Sequence, residues 1–253
     1  TNKQTNKQTN KQTNKQTNKQ TNKQTNKRIK IVFCGIKLTF PNIFACTNNC
    51  IVLEKDNKIK VIKHVRGLKI KFYGSNNIIK FVDKIPSFKN VKIDCGDNTT
   101  ICINATKHKI KNLYINARSD NTDINIDKDF SIESGSFDTH GEPNTKITIG
   151  KDCQFGCNIE LDTADGHTIY STNGEIINTP KDITIGDHVW LCKNVSVLKG
   201  AKVPNNSVIA KGSIFTKPYE IGNAIFAGTP AKIVKTEINW SRLACKSFYN
   251  DSK

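Results

Sequence analysis

Five histidines, at positions 64, 108, 140, 167 and 188, are the side chains of this chain best suited to moving a proton at neutral pH. An imidazole has an unperturbed pKa of about 6.5, and as a positioned general base it typically contributes about 10²–10⁴-fold to a rate. His167 stands apart by its setting, in a polar segment DTADGHTIYSTNGEIINTPKD between Leu161 and Ile185, with Asp165 and Gly166 before it and Tyr170 after. Asp165 and Asp162 are the candidates, by proximity in sequence, for a carboxylate that orients its ring. Tyr170 offers a ring for stacking and a polar handle, and a purely structural tyrosine fits as well. His64, His108 and His140 share no spacing, and His188 adjoins Trp190. Zinc chemistry would need two close histidines plus a third, which His140, His167 and His188 do not supply, so no metal is expected.

Nine cysteines, at 34, 46, 50, 95, 102, 153, 157, 192 and 245, are an odd number without a CxxC pair. Reduced, structural thiols in a cytosolic compartment account for them, and the pairs Cys46/Cys50 and Cys153/Cys157 are read as structural. No run approaches the eighteen apolar residues of a membrane span, and the patch from Ile29 to Phe33 does not read as a signal peptide. A cytoplasmic protein is expected, with peripheral membrane association left open.

The elements that position His167 show in a six-residue period. Ile149, Phe155 and Leu161, then Ile185, Leu191, Val197, Val203 and Ile209, all fall at 149 plus a multiple of six, in phase across the polar interruption. Such a repeat describes a chain wound round a triangular prism, three short faces to a coil of eighteen, whose apolar residues stack on the next coil because one coil cannot bury its own face. The polar segment is then a loop that leaves a rigid scaffold, a common place for catalytic groups.

Residues 149–235 resemble the hexapeptide-repeat acyltransferases, most specifically in IGDHVW, LKGAKVPNNSVIAKGSIFTK and AGTPAKIVK, and among these the bacterial capsular polysaccharide and sialic acid O-acetyltransferases. The resemblance implies an all-β fold, a left-handed parallel β-helix, and an acetyl-CoA-dependent O-acetyltransferase. It implies His167 as the base that activates a sugar hydroxyl and the backbone N–H of Trp190 as the oxyanion donor. The Trp190 indole suits packing on the pantetheine arm or the sugar face, and a tryptophan that merely shields a coil edge is the other reading. Lys211, Gly212, Ser213, Lys217, Gly228, Thr229, Pro230, Ala231, Lys232 and Lys235 match the coenzyme groove, where glycines admit a close ligand and lysines answer phosphates. Asp165, Tyr170 and the insertion through Pro180 would form the acceptor wall. A homotrimer with active sites between neighbouring prisms follows from the same resemblance, as does direct transfer in a ternary complex. Amino-sugar N-acetylation and a non-catalytic scaffold are the alternatives.

Four segments are expected: a TNKQ repeat tail over 1–28, a strand-rich segment over 29–92 with turns at Gly67, Gly74 and Pro86, the β-helix over 93–236, and a closing segment over 237–253 with a short helix between Glu237 and Phe248. The tail has no apolar side chain to offset the entropy of ordering. It carries eight of the cations behind the formal net charge of +17, which leaves +9 on the body. That body suits an anionic partner, although an AT-rich genome explains the lysine and asparagine excess equally well. An anionic surface glycan, sialic-acid-containing capsule or lipooligosaccharide, is expected as acceptor, and nucleic acid is not. The codons ACA, AAC, AAA and CAA make the tail a tetranucleotide written over and over, the form of a phase-variation tract whose slippage would switch the gene; a plain solvated linker is the other reading.

Overall fold

The structure, a computed structural model, describes residues 29–33, 36–40 and 48–247. The repeat tail over 1–28, Cys34, Cys46 and residues 248–253 lie outside the described residues. The chain divides into two units at Asn48. In the first, Ile29–Phe33 and Ile36–Phe40 pair as an antiparallel hairpin. The candidate site residues all lie in the second.

The second unit is a three-faced parallel β-prism. One face stacks Cys50–Lys55, Ile78–Val82, Thr100–Asn104, Asp123–Ile126, Lys146–Ile149, Ile183–Ile185 and Lys202–Val203. A second face runs from Ser87–Lys89 through Gln154–Phe155 and Trp190–Leu191 to Ile225–Gly228, and a third from Leu68–Phe72 through Leu113–Ala117 and Ile159–Asp162 to Ile214–Phe215. Below they are the first, second and third faces. Alternation along each short strand sends one set of side chains inward. Ile79, Ile101, Ile124, Ile147 and Ile183 are thus in register on the first face, all buried. Ile93, Ile115, Phe137, Leu161, Val197 and Phe215 do the same on the third. Each such side chain contributes about 1.5–3 kcal/mol relative to an exposed one.

The coils begin at Cys50, where Cys50–Lys55 already pairs in parallel with Ile78–Val82. The boundary expected at residue 93 is therefore corrected: residues 50–92 are coils of the prism, not a separate strand-rich segment. They escape a six-residue search because upstream corner residues recur every 22 or 23 positions, against 18 downstream. The additional residues lie at the corners. Asn76, Asn98, Asn121 and Asn144 hold left-handed backbone there, with φ between 54° and 60°, and the amides of Asn76, Asn98 and Asn121 each donate to the next at 3.0–3.1 Å.

At the far end, Ile225–Gly228 turns back antiparallel into Ala231–Lys235 and ends the second face. Of the closing helix expected after Glu237, only residues 245–247 are helical among those described. The preceding stretch is a strap over the outside of the second face. Arg242 pins it by donating to Asp152 Oδ1 at 2.9 Å, Ser131 Oγ at 2.8 Å and the carbonyls of Asp129 and Cys153 at 3.0 Å. No helix among the described residues is long and apolar enough to cross a membrane.

Candidate active site

The coil that carries His167 is 36 residues long, as Asn158 and Asn194 show by lying on adjacent coils. Its surplus leaves the prism after Ile159–Asp162 on the third face and returns at Ile183–Ile185 on the first. His167 is exposed at that corner, and its imidazole has no hydrogen-bond partner among the described residues.

Neither aspartate assigned to orient it does so. Asp162 accepts from His140 instead, Nε2 to Oδ1 at 3.2 Å, from the coil below. Burial raises the Asp162 carboxyl above its ordinary range, against the pull of His140. Asp165 accepts from Lys199 Nζ and from Asn178 Nδ2, the latter at 2.8 Å. These two hydrogen bonds, that of Lys199 first, hold its carboxyl below the usual range. The other contacts of Asn178 clamp the loop: Nδ2 donates to the His167 carbonyl at 2.7 Å and Oδ1 accepts from the Ile169 N–H at 2.7 Å. Asp165 is thus a fastening for the loop, and Asn178 and Lys199 are parts of the site that sequence reasoning missed.

His140 is the other missed residue. Its ring packs beside Gly166, whose missing side chain leaves room: a Cβ there would lie 3.6 Å from Nδ1. The corner therefore gathers His140, Asp162, Asp165 and His167, with Asp138 at 3.9 Å from His140 Nδ1. Beyond them the loop projects as a narrow turn carrying Ile169, Tyr170, Ile176 and Ile177, each more than half exposed.

Trp190 lies elsewhere. It faces outward on the second face, which is opposite the corner between the third face and the first, so one chain does not bring it to His167. Its backbone N–H donates to the Ser207 carbonyl at 2.9 Å as part of the ladder, so the oxyanion role assigned to that group conflicts with this geometry. Its indole is half-buried against Trp240 at 5.8 Å between ring centroids, in a cavity of about 540 Å³ lined also by Leu243, Ala244 and Cys245. His188 serves the strap: it stacks on Trp240 at 4.2 Å, and its ring nitrogens lie 2.7 Å from Asp152 Oδ2 and 3.0 Å from the Trp240 carbonyl.

The coenzyme candidates fall at the end of the prism that carries the last hairpin. Gly212, at φ 74° with open space around it, turns the corner from the second face to the third beside exposed Lys211. The Gly228 N–H donates to Ser213 Oγ at 3.1 Å, which joins this corner to the turn of Gly228, Thr229 and Pro230. Ser213 and Ala231 are buried, so they shape this surface from beneath and do not offer it a side chain. Lys217, Lys232 and Lys235 are exposed, Lys217 with its ammonium 5.2 Å from the Tyr219 ring. Cys153 is fully buried and burial pushes its thiol up to about 12, the mark of a structural cysteine. Among the described residues no cluster of three metal-ligating side chains occurs.

No protein-family model matches the chain. It is 49% identical over 98 residues to a polysialic acid O-acetyltransferase of Neisseria meningitidis, covering 38% of this chain and 46% of that protein. A polysialic acid O-acetyltransferase of Escherichia coli O1:K1 is 36% identical over 108 residues, 42% of this chain and 35% of that one. The chain thus spans less than half the length of these curated relatives. The crystal structure of the polySia specific acetyltransferase NeuO matches 75% of this chain and 100% of its own, with a TM-score of 0.56 and 28% identity. The fold is the left-handed parallel β-helix, and the resemblance to hexapeptide-repeat O-acetyltransferases read from the motifs is found again in these partial matches.

Proposed function

We propose that this relative of the polysialic acid O-acetyltransferases moves acetyl from acetyl-CoA to a hydroxyl of a sialic-acid-containing surface glycan, with His167 as general base. The observation that carries the reading is an exposed imidazole, without a hydrogen-bond partner among the described residues, on a long loop of the prism, in a chain with a 98-residue stretch 49% identical to an enzyme of that name. The acceptor oxygen attacks the thioester carbonyl while its proton passes to His167. The tetrahedral intermediate then collapses, the C–S bond breaks, and the coenzyme thiolate leaves with a proton. No acyl-enzyme is needed.

Acetyl-CoA is assigned to the corner formed by Lys211, Gly212 and the Gly228–Thr229–Pro230 turn, with Lys217, Lys232 and Lys235 near enough in sequence to answer its phosphates. Because His167 and Trp190 lie on opposite sides of one prism, a site that uses both requires a second copy, which agrees with a homotrimer. Trp190 then acts through its indole, its backbone N–H being committed. Tyr170, on the projecting turn, is assigned to the acceptor wall or to the neighbouring copy.

The test is thiol release from acetyl-CoA by the purified protein, with and without oligosialic acid, beside His167→Ala. Acceptor-dependent release that falls about 10²–10⁴-fold in the variant is expected. Release that persists in the variant would overturn the assignment of the base. Release with an amino-sugar nucleotide alone would replace the acceptor.

A further inference from the structure

The third face carries a second chemical feature, several coils from the loop and on the same outward column as its carboxylates. Lys71, Asp94, Asn116, Asp138 and Asp162 are successive partners in register along it. Four steps of about 4.8 Å put Lys71 roughly 19 Å from Asp162. At that distant end three cations are set around two tyrosines. Lys71 Nζ donates to Tyr73 Oη at 3.0 Å and lies 4.6 Å from that ring, and the Arg118 guanidinium lies 5.4 Å from the same ring. Lys92 sits 4.4 Å from the Tyr114 ring while donating to Asp94 at 2.8 Å. Tyr73 is 51% exposed, so the ring between Lys71 and Arg118 is open to a ligand from solvent.

Arg118 is held by its Nε, which donates to Asn116 Oδ1 at 2.9 Å, and its two terminal nitrogens have no hydrogen-bond partner among the described residues. A fixed planar fork beside an exposed ring is the arrangement that takes a carboxylate and a sugar face together. We propose that Lys71, Tyr73, Lys92, Tyr114 and Arg118 form a distal subsite for a carboxylate-bearing stretch of the acceptor glycan, several sugar units from the hydroxyl that reacts. The inference rests on the acetyltransferase reading and adds to it a place, four coils from the loop, where a long acidic acceptor is held.

Two measurements on Arg118→Gln and Tyr73→Ala decide it: binding of long and of dimeric oligosialic acid without coenzyme, and thiol release with each acceptor. Affinity and kcat/KM for the long acceptor are expected to fall about tenfold, the loss of one charge-assisted contact, with the dimer unchanged. Thermal melting serves as the control for folding. Equal losses on both acceptors, or none on the long one while the wild type transfers acetyl to it, would overturn the subsite and leave the acetyltransferase reading intact. Binding lost in the variants, in a protein that transfers no acetyl, would keep the subsite and remove the enzyme. A wild type that binds no acidic glycan, or releases it to single-stranded DNA as readily as the variants do, would overturn the subsite too.

Discussion

At the scale of the residue, Asp165 is the sharpest departure from what the sequence suggests. Two positions from His167, it reads as the carboxylate that orients the imidazole, yet it is spent on Lys199 and Asn178. The two roles differ in magnitude. A carboxylate that fixes the tautomer of a catalytic histidine is worth on the order of 10⁴ in kcat. An exposed ion pair contributes about 0–1 kcal/mol, so Asp165→Asn is expected to lower kcat less than about tenfold. Steady-state kinetics beside His167→Ala distinguish the two, and a loss that approaches that of His167→Ala would restore the orienting role. The position of His167 was legible because a broken period exposes the segment that breaks it. Its surroundings were not: His140 lies on the coil below and Lys199 on the coil above, and only the stacking brings them, 22 positions from Asp162 and 34 from Asp165, to one corner.

Elements hold the signal that a six-residue search discards. Asn-Thr recurs at 98–99, 121–122 and 144–145, and Asn-Asn at 76–77, each three residues ahead of a buried isoleucine, Ile101, Ile124, Ile147 or Ile79. Codon bias supplies asparagine without regard to position, but here the residues stand where the backbone is left-handed. An L-residue other than asparagine, aspartate or glycine is strained there by roughly 1–2 kcal/mol. Asn98→Ala is expected to lower the melting temperature by about 2–8 °C, and Asn98→Gly by less, since glycine loses only the two ladder hydrogen bonds and not the backbone conformation. Equal shifts in thermal melts would mean that the ladder, not the backbone, carries the cost.

The strap is the other element the sequence left open. Burial pushes the Asp152 carboxyl up, but hydrogen bonds from Arg242 and His188 more than offset it and hold it below the usual range. A lowered carboxyl stabilises the docked strap above the ordinary aspartate pKa of about 3.9, and that stabilisation is lost as pH falls through the lowered value. Fluorescence of Trp240, which stacks on His188, is expected to report undocking only on strong acidification. Arg242→Ala should move that transition to higher pH. An unchanged midpoint would show that the stack alone holds the strap.

For the whole molecule the governing fact is that His167 and Trp190 occupy opposite sides of the prism. A β-helix does not bend enough to close that separation, because each coil is fixed to its neighbours by ladders on all three faces. If both residues act, each acts beside a different prism, and the pair exists only between copies. A heterologous ring has this property: the same two unlike surfaces meet at every interface, so each site draws His167 from one chain and Trp190 from the next. Complementation reads this directly. Take His167→Ala and Trp190→Ala, each assembled alone and each expected to be inactive, then mix them under conditions that allow subunits to exchange. Random assembly at equal amounts rebuilds roughly a quarter of the sites with both residues intact, so about that share of wild-type thiol release should return. Recovery would require that the two residues meet across copies. If exchange is verified by mass spectrometry of a tagged partner and no activity returns, His167 and Trp190 do not share a site, and the role of Trp190 contracts to the cavity it forms with the strap.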